Sequence, residues 1–228
     1  MNKITKINLM LLLVNISMLL IAIIININSN KEYDIWKEKK DCVYEVHLYD
    51  DGNINAYATC FVINKEGLLM TNKHVANVDD VDIYIIINGE KHKANVEHSS
   101  ESYDLAILSV NYKFTKELNI IDYNSNVGDI VYTIGNPNGI GLLLQKGIVS
   151  GEKKNLIIEG GNYLVIQTSL ALNEGNSGGP LFDENGNVIG IISFRMRDKK
   201  GDVLDSISFC YSSDEILFCV NEFYNIKF

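Results

Sequence analysis

The stretch GNSGGP at residues 175–180 decides how this sequence is interpreted. A nucleophilic serine needs an exposed hydroxyl and nearby backbone N–H groups that can hold a developing oxyanion. The small residues on both sides of Ser177 permit a tight turn and let a substrate approach the backbone closely. The alternative is a glycine-rich surface turn without chemistry, so the interpretation depends on two further segments.

These two segments supply a histidine and an aspartate. The stretch LMTNKHVA at residues 69–76 is an apolar run that ends in a polar corner presenting His74, and YDLAIL at residues 103–108 places Asp104 at the start of another apolar run. A partly buried carboxylate needs a partner, and His74 is the obvious one. Singly, His74 fits a loop cap and Asp104 an ordinary loop residue. With Ser177 they predict a catalytic triad of general base, orienting acid and nucleophile.

Short runs rich in Val, Ile, Tyr and Thr fill the chain around these segments and predict strands. The first set comprises Val43–Tyr49, Ile54–Ile63, Leu68–Thr71, Val81–Ile87, Lys93–His98 and Leu105–Val110. About as many runs follow a polar stretch at residues 112–127, and Asn185-Gly186 is a strong hairpin signal among them. The predicted fold is therefore all-β, with two six-stranded antiparallel barrels. Ser213 as N-cap predicts a short C-terminal helix.

The N-terminus differs in composition from the rest of the chain. Residues 7–27 are almost wholly apolar and follow a lysine-bearing start at residues 1–6. A membrane-crossing helix needs about 20 such residues, whereas a cleaved signal peptide is usually shorter and ends in a small-residue site, which residues 26–30 lack. This favours a single-pass signal anchor with residues 1–6 cytoplasmic and the remainder extracytoplasmic. A cleaved signal, which would make the protein secreted, and a buried core helix are the alternatives.

Charge and cysteine content exclude several classes of function. The net charge is −9 with no basic stripe, which argues against nucleic acid as a partner because the phosphates would be repelled. The four cysteines are even in number, which permits disulfides without establishing them. No CxxC pair is present, so zinc is not suggested, and the predicted site includes no metal and no cofactor. The cysteines are Cys42, Cys60, Cys210 and Cys219.

These segments resemble the HtrA-like (Deg) branch of the trypsin-like serine proteases. The resemblance covers about residues 58–216 and is also carried by IGNPNG at 134–139 and GIVSG at 147–151. It implies a serine endopeptidase of unfolded or extended extracytoplasmic polypeptides, and it is compatible with a homo-oligomer. The alternative is a non-catalytic or tightly gated membrane-tethered peptide-binding protein on the same fold.

The resemblance also assigns residues around the triad. It implies an oxyanion hole from the N–H groups of Gly175 and Ser177, and it makes Ser193 a support for the triad aspartate. The substrate pocket is expected to be lined by Ala171, Ser193, Phe194, Arg195, Ser208 and Cys210. Because no acid stands at Ala171, the expected residue before the scissile bond is a small or medium aliphatic one, not Lys or Arg.

The sequence departs from the family pattern in three respects. Such proteases commonly carry a C-terminal PDZ domain, and none is expected here because the sequence stops at Phe228. Val75 stands where many secreted relatives have a disulfide cysteine, and Glu174 stands where the family often has proline. The predicted organisation is a cytoplasmic N-terminus (1–6), a transmembrane helix (7–27), a linker (28–41) and a protease domain (42–228), the last divided into barrel one (about 42–120), barrel two (about 121–212) and a C-terminal helix (about 213–224).

Overall fold

The N-terminal part of the chain is helical. The computed structural model describes residues 3–29, 31–158, 161–197 and 203–227. Helix α1 (Lys3–Ser29) contains the segment Thr5–Ile23, whose mean hydropathy is 2.2 and none of which is buried. This length and composition are consistent with a helix that crosses a membrane or serves as a signal sequence.

The polar segment predicted as a linker contains a helix. Residues 31–39 form helix α2 (Lys31–Lys39), and a 3₁₀ turn follows at Lys40–Cys42. Glu32 and Asp34 lie in the first turn of α2, where negative side chains complement the partial positive charge of a helix N-terminus. The segment also has no glycine or proline to interrupt the helix.

The first sheet carries the predicted histidine and aspartate. Its strands are β1 (Val43–Asp50), β2 (Asn53–Asn64), β3 (Leu68–Thr71), β4 (Asp82–Ile87), β5 (Glu90–Lys93), β6 (Asn95–Ser99) and β7 (Ala106–Ser109), with helix α3 (Lys73–Ala76) after β3. They pair antiparallel in the order β5-β4-β1-β2-β3-β7-β6 and form a half-closed barrel. Burial alternates along β4, where Ile83, Ile85 and Ile87 point into the core.

This sheet has seven strands and not the six that the sequence predicts. The predicted run Lys93–His98 is divided between β5, which pairs with β4, and β6, which pairs with β7. The chain passes from β5 to β6 at Ala94, whose N–H donates to Ile83 O at 2.9 Å. A single run of strand-forming residues therefore serves two edges of the barrel.

The second sheet carries the serine loop. Its strands are β8 (Ile130–Gly135), β9 (Leu143–Ile148), β10 (Lys154–Ile158), β11 (Gly161–Thr168), β12 (Pro180–Phe182), β13 (Val188–Arg197) and β14 (Val203–Ser212). Their order is β10-β11-β14-β13-β12-β8-β9, again seven strands. A bridge between Val149 and Thr168 partly closes this barrel. Helix α4 (Ser213–Lys227) follows, so the predicted C-terminal helix is confirmed.

Each barrel has its own apolar core. Fully buried aliphatic residues of the first include Val46, Val62, Leu69, Ile85 and Leu108, and those of the second include Val131, Ile166, Leu181 and Ile189. All four cysteines are buried as free thiols, and Cys210 belongs to the second core. None of the four therefore forms a disulfide in this structure.

Candidate active site

His74 and Asp104 meet at the end of the first barrel. His74 lies on α3, directly after β3, and its backbone N–H donates to Asp104 Oδ1 at 2.8 Å. The imidazole Nδ1 lies 2.8 Å from Asp104 Oδ2. Because a carboxylate only accepts hydrogen bonds, this contact places the proton on Nδ1 and leaves Nε2 able to accept one.

Asp104 is held in place from two sides. Its side chain is 19% exposed, against 50% for His74, so the carboxylate is the more enclosed member of the pair. Asn72 Nδ2 donates to the Asp104 backbone carbonyl at 3.1 Å, and Ser193 Oγ lies 3.4 Å from Asp104 Oδ2. The structure thus brings together three residues that the sequence selected: His74, Asp104 and Ser193.

Ser177 lies on a loop that is pinned to both barrels. Its carbonyl accepts the N–H of Thr59 from β2 at 2.9 Å, while the N–H of Gly178 donates to Ile192 O on β13 at 3.0 Å. The Ser177 hydroxyl donates to the backbone carbonyl of Ser193 at 3.3 Å. Among the described residues no hydrogen bond joins this hydroxyl to the histidine.

Glycine is required at two positions of the serine loop. Gly175 has φ +94°, and a Cβ atom there would lie 2.1 Å from Asn136 O. Gly178 has φ +84°, and its Cβ would lie 2.2 Å from Thr59 O. Neither conformation nor space admits a side chain. Within the described part of the chain, the N–H groups of Gly175 and Ser177 have no hydrogen-bond acceptor, as an oxyanion hole requires.

Thr59 is a structural determinant of this site for which the sequence pattern predicts no role. Its side chain is completely buried, and its Oγ1 donates to Gly175 O at 2.7 Å while it accepts the N–H of Asn136 at 3.0 Å. Thr71 Oγ1 donates in turn to the Thr59 carbonyl at 2.9 Å. Thr59 therefore couples the first barrel to the carbonyl of Gly175. Its only sequence signal is a hydroxyl within an otherwise apolar run.

A cavity of about 450 Å³ opens beside the imidazole. Its walls include Lys73, Tyr103, Tyr163, Ser193 and Tyr211. Burial raises the pKa of both Tyr103 and Tyr211, so these hydroxyls stay protonated in the neutral range. The cavity is thus a cleft beside His74 with three tyrosines in its walls.

The residues predicted to line the substrate pocket lie on adjacent segments of the second barrel, where Arg195 of β13 pairs with Ser208 of β14. Ala171 is exposed and its carbonyl accepts from Gln145 Nε2 at 2.8 Å, while Ser208 Oγ donates to Leu170 O at 2.8 Å. Cys210 is fully buried in the second core, and burial raises its pKa to about 12. The side chains of Phe194 and Arg195 lie outside the described residues. The substrate pocket therefore stays a prediction.

Comparison with known proteins fits this geometry. Residues 58–191, more than half of the chain, match the family described as the trypsin-like peptidase domain. This chain belongs to the trypsin-like peptidase family. The matched range contains every predicted triad residue and ends within β13.

The relatives of this trypsin-like peptidase are HtrA-type proteins. The chain is 29% identical over 170 residues to the serine endoprotease DegS of Haemophilus influenzae, covering 72% of this chain and 49% of that protein. It is 37% identical over 140 residues to a probable periplasmic serine endoprotease, DegP-like, of Brucella suis, covering 60% of this chain and 27% of the relative. A solved structure, the HtrA-type protease AlgW with tripeptide, aligns with a TM-score of 0.74 at 26% identity, covering 83% and 62% of the two chains.

These matches confirm the resemblance to the HtrA-like branch. The chain spans half or less of the length of the two curated relatives. The similarity is therefore evidence for a shared peptidase domain. It does not extend to the substrates or the assembly of the whole protein.

Proposed function

We propose that this trypsin-like peptidase is a serine endopeptidase that hydrolyses peptide bonds of unfolded or extended extracytoplasmic polypeptides. The observation that carries the proposal is the double contact of His74 with Asp104, at 2.8 Å from both its backbone and its ring nitrogen. This contact orients the ring and, in the neutral imidazole, puts the proton on Nδ1, so that Nε2 is the nitrogen able to act as general base.

Each residue has a defined role in the proposed reaction. Ser177 Oγ attacks the peptide carbonyl while His74 Nε2 takes its proton, and Asp104 stabilises the imidazolium that results. The N–H groups of Gly175 and Ser177 bind the oxyanion. The imidazolium then protonates the leaving amine, and the acyl-enzyme forms. A water molecule, deprotonated by the same imidazole, releases the carboxylic acid and restores the serine.

The location and substrate preference are also proposals. The apolar segment Thr5–Ile23 supports a membrane-anchored protein whose peptidase domain is extracytoplasmic, and the relative from Brucella suis is described as probably periplasmic. We propose that the residue before the scissile bond is a small or medium aliphatic one, because Ala171 puts no acidic side chain in the substrate pocket. We also propose that the protein forms a homo-oligomer, as the HtrA-like resemblance allows. Cleavage-site profiling of a denatured protein tests the preference, and a predominance of Lys or Arg would exclude it.

A gated state is the second candidate, and one contact favours it. Ser177 Oγ donates to Ser193 O at 3.3 Å, and among the described residues no hydrogen bond joins it to His74. A chain that keeps this arrangement binds extended peptides without cutting them until a ligand rotates the serine. A gated peptide-binding protein would therefore use the same cleft as the protease and would differ from it only in the absence of turnover.

The full-length chain in detergent distinguishes these functions. We expect it to hydrolyse a denatured protein, and we expect Ser177→Ala to lower the rate by about 10⁴-fold or more without loss of fold. Ser109→Ala, a change at a hydroxyl that bonds Glu97 on β6, is the matched control and should retain full activity. Peptide binding without any turnover by the unmodified chain would support the gated candidate.

A further inference from the structure

Three side chains with metal-binding atoms lie together outside the serine loop, where β6 faces α4. His98 comes from β6, and Cys219 and Glu222 come from α4, three residues apart and hence on one face of that helix. One nitrogen, one sulfur and one carboxylate oxygen of these residues all lie within 4.8 Å of one another. The ring of His98 also contacts Phe223, with centroids 6.2 Å apart.

The spacing of these atoms suits a tetrahedral ion. Zn²⁺ binds His nitrogen, Cys sulfur and carboxylate oxygen at roughly 2.0–2.3 Å, which places neighbouring ligand atoms about 3.3–3.8 Å apart. His98 Nε2 and Glu222 Oε2 already lie 3.6 Å apart. The remaining separations are at most 4.8 Å, so ion binding would need side-chain adjustments of about 1 Å.

His98 Nε2 lacks a hydrogen-bond partner among the described residues. His98 Nε2 is buried and forms no hydrogen bond with the described residues, because 3.6 Å to Glu222 is too long for one. A buried polar atom without a partner is costly, so such atoms are rare in native proteins. Cys219 is completely buried beside it. A metal ion would satisfy the nitrogen that the protein leaves unpaired.

The carboxylate of the cluster is already oriented. Ser100 Oγ donates to Glu222 Oε2 at 2.6 Å, which fixes one oxygen and is the type of outer-shell contact that orients metal ligands. The same hydroxyl accepts the N–H groups of Ser102 and Tyr103, each at 3.3 Å. These residues directly precede Asp104, so the cluster is connected to the loop that carries the triad carboxylate.

We propose that His98, Cys219 and Glu222 form a binding site for a transition-metal ion of the Zn²⁺ class, with water as the fourth ligand. A mixed sulfur, nitrogen and oxygen set favours Zn²⁺ over Mg²⁺ or Ca²⁺, which prefer oxygen alone. The bound ion fastens α4 to the first barrel and steadies the loop before Asp104. Binding replaces the thiol proton of Cys219, which is released to solvent.

Metal content and Co²⁺ absorption test this site without reference to activity. We expect the metal-free full-length chain to take up one Zn²⁺, and one Co²⁺ with a thiolate-to-metal charge-transfer band. Glu222→Gln and His98→Gln should each weaken Zn²⁺ binding by at least about tenfold, in line with the cost of disturbing a metal site. Cys219→Ser should abolish the charge-transfer band.

Matched controls exclude binding elsewhere on the chain. Cys42→Ser changes another buried thiol, and His92→Gln changes a histidine of β5, the strand that precedes β6 in the chain; both variants should bind Zn²⁺ as the unaltered chain does. Should Cys219→Ser fail to fold, the two glutamine variants still decide the question. The proposal is overturned by the absence of stoichiometric Zn²⁺ binding, or by binding that survives all three changes; in either case the cluster is a hydrogen-bonding network only.

Discussion

Replacing Thr59 by Val tests how the first barrel supports the oxyanion loop. The substitution keeps the shape of the side chain and removes the hydroxyl that joins Gly175 O at 2.7 Å and Asn136 N at 3.0 Å. Each buried group left unpaired costs about 1–3 kcal/mol, so the free energy of unfolding should fall by roughly 2–6 kcal/mol. That is a large part of the roughly 5–15 kcal/mol that holds a typical domain folded.

The same substitution should also reduce catalysis. Without its anchor the Gly175 carbonyl is free to turn, and the neighbouring N–H groups lose their fixed direction. Displacement of one oxyanion donor typically lowers kcat by about 10²–10³-fold. Urea unfolding of the full-length chain in detergent measures stability, and steady-state hydrolysis of a peptide substrate measures kcat under conditions in which the variant is folded.

Thr59→Ser is the matched control for this prediction. It keeps the hydroxyl and loses one methyl group, which costs about 0.8 kcal/mol of transfer free energy. We expect its kcat to stay close to that of the unaltered chain. Equal losses of activity in the Ser and Val variants, or a Val variant as stable and as active as the original, would refute the role assigned to the hydroxyl.

Three further changes test the remaining parts of the site. Ser193→Ala removes the 3.4 Å contact to Asp104. A long hydrogen bond to a charged group is worth about 1.4 kcal/mol, so kcat/KM, measured by steady-state kinetics, should fall by about tenfold. Gly175→Ala places a methyl group 2.1 Å from Asn136 O in a backbone of φ +94°, so turnover should fall by at least about 10²-fold, and unchanged kinetics would contradict the required glycine. Burial raises the pKa of the Glu215 carboxyl from 4.5 to about 8. The protonated carboxyl therefore contributes its full share to the free energy of unfolding below pH 4.5, and this contribution is lost as the pH rises toward 8. Glu215→Gln keeps the neutral form; its gain in urea midpoint over the original chain should therefore grow between pH 5 and pH 8, and a constant difference would refute the raised pKa.

The strands and the two barrels were predictable because their determinants are local. Alternating apolar residues such as Ile83, Ile85 and Ile87 specify one buried face, and Asn185-Gly186 specifies a hairpin. The division of Lys93–His98 into β5 and β6 was not predictable in this way, because it depends on which neighbour each half pairs with. Strand propensity carries no information on that choice.

The parts of the site that the sequence missed depend on contacts between distant residues. Thr59 lies 116 residues from Gly175 along the chain, yet the two share a hydrogen bond. His98 and Glu222 are brought together only when α4 returns to the first barrel. By contrast, the glycines around Ser177 made the serine loop predictable, because the backbone conformation that requires them is local.

Labelling of the full-length chain with a fluorophosphonate tests the central proposal most directly, because the reagent reacts with an activated serine and the modified peptide can be mapped by mass. We expect one adduct per chain on Ser177. It should be lost in His74→Ala and retained in Ser109→Ala. A folded chain that forms no adduct even when a denatured protein is added as activator, or an adduct on another serine, would contradict the assignment of Ser177 as nucleophile.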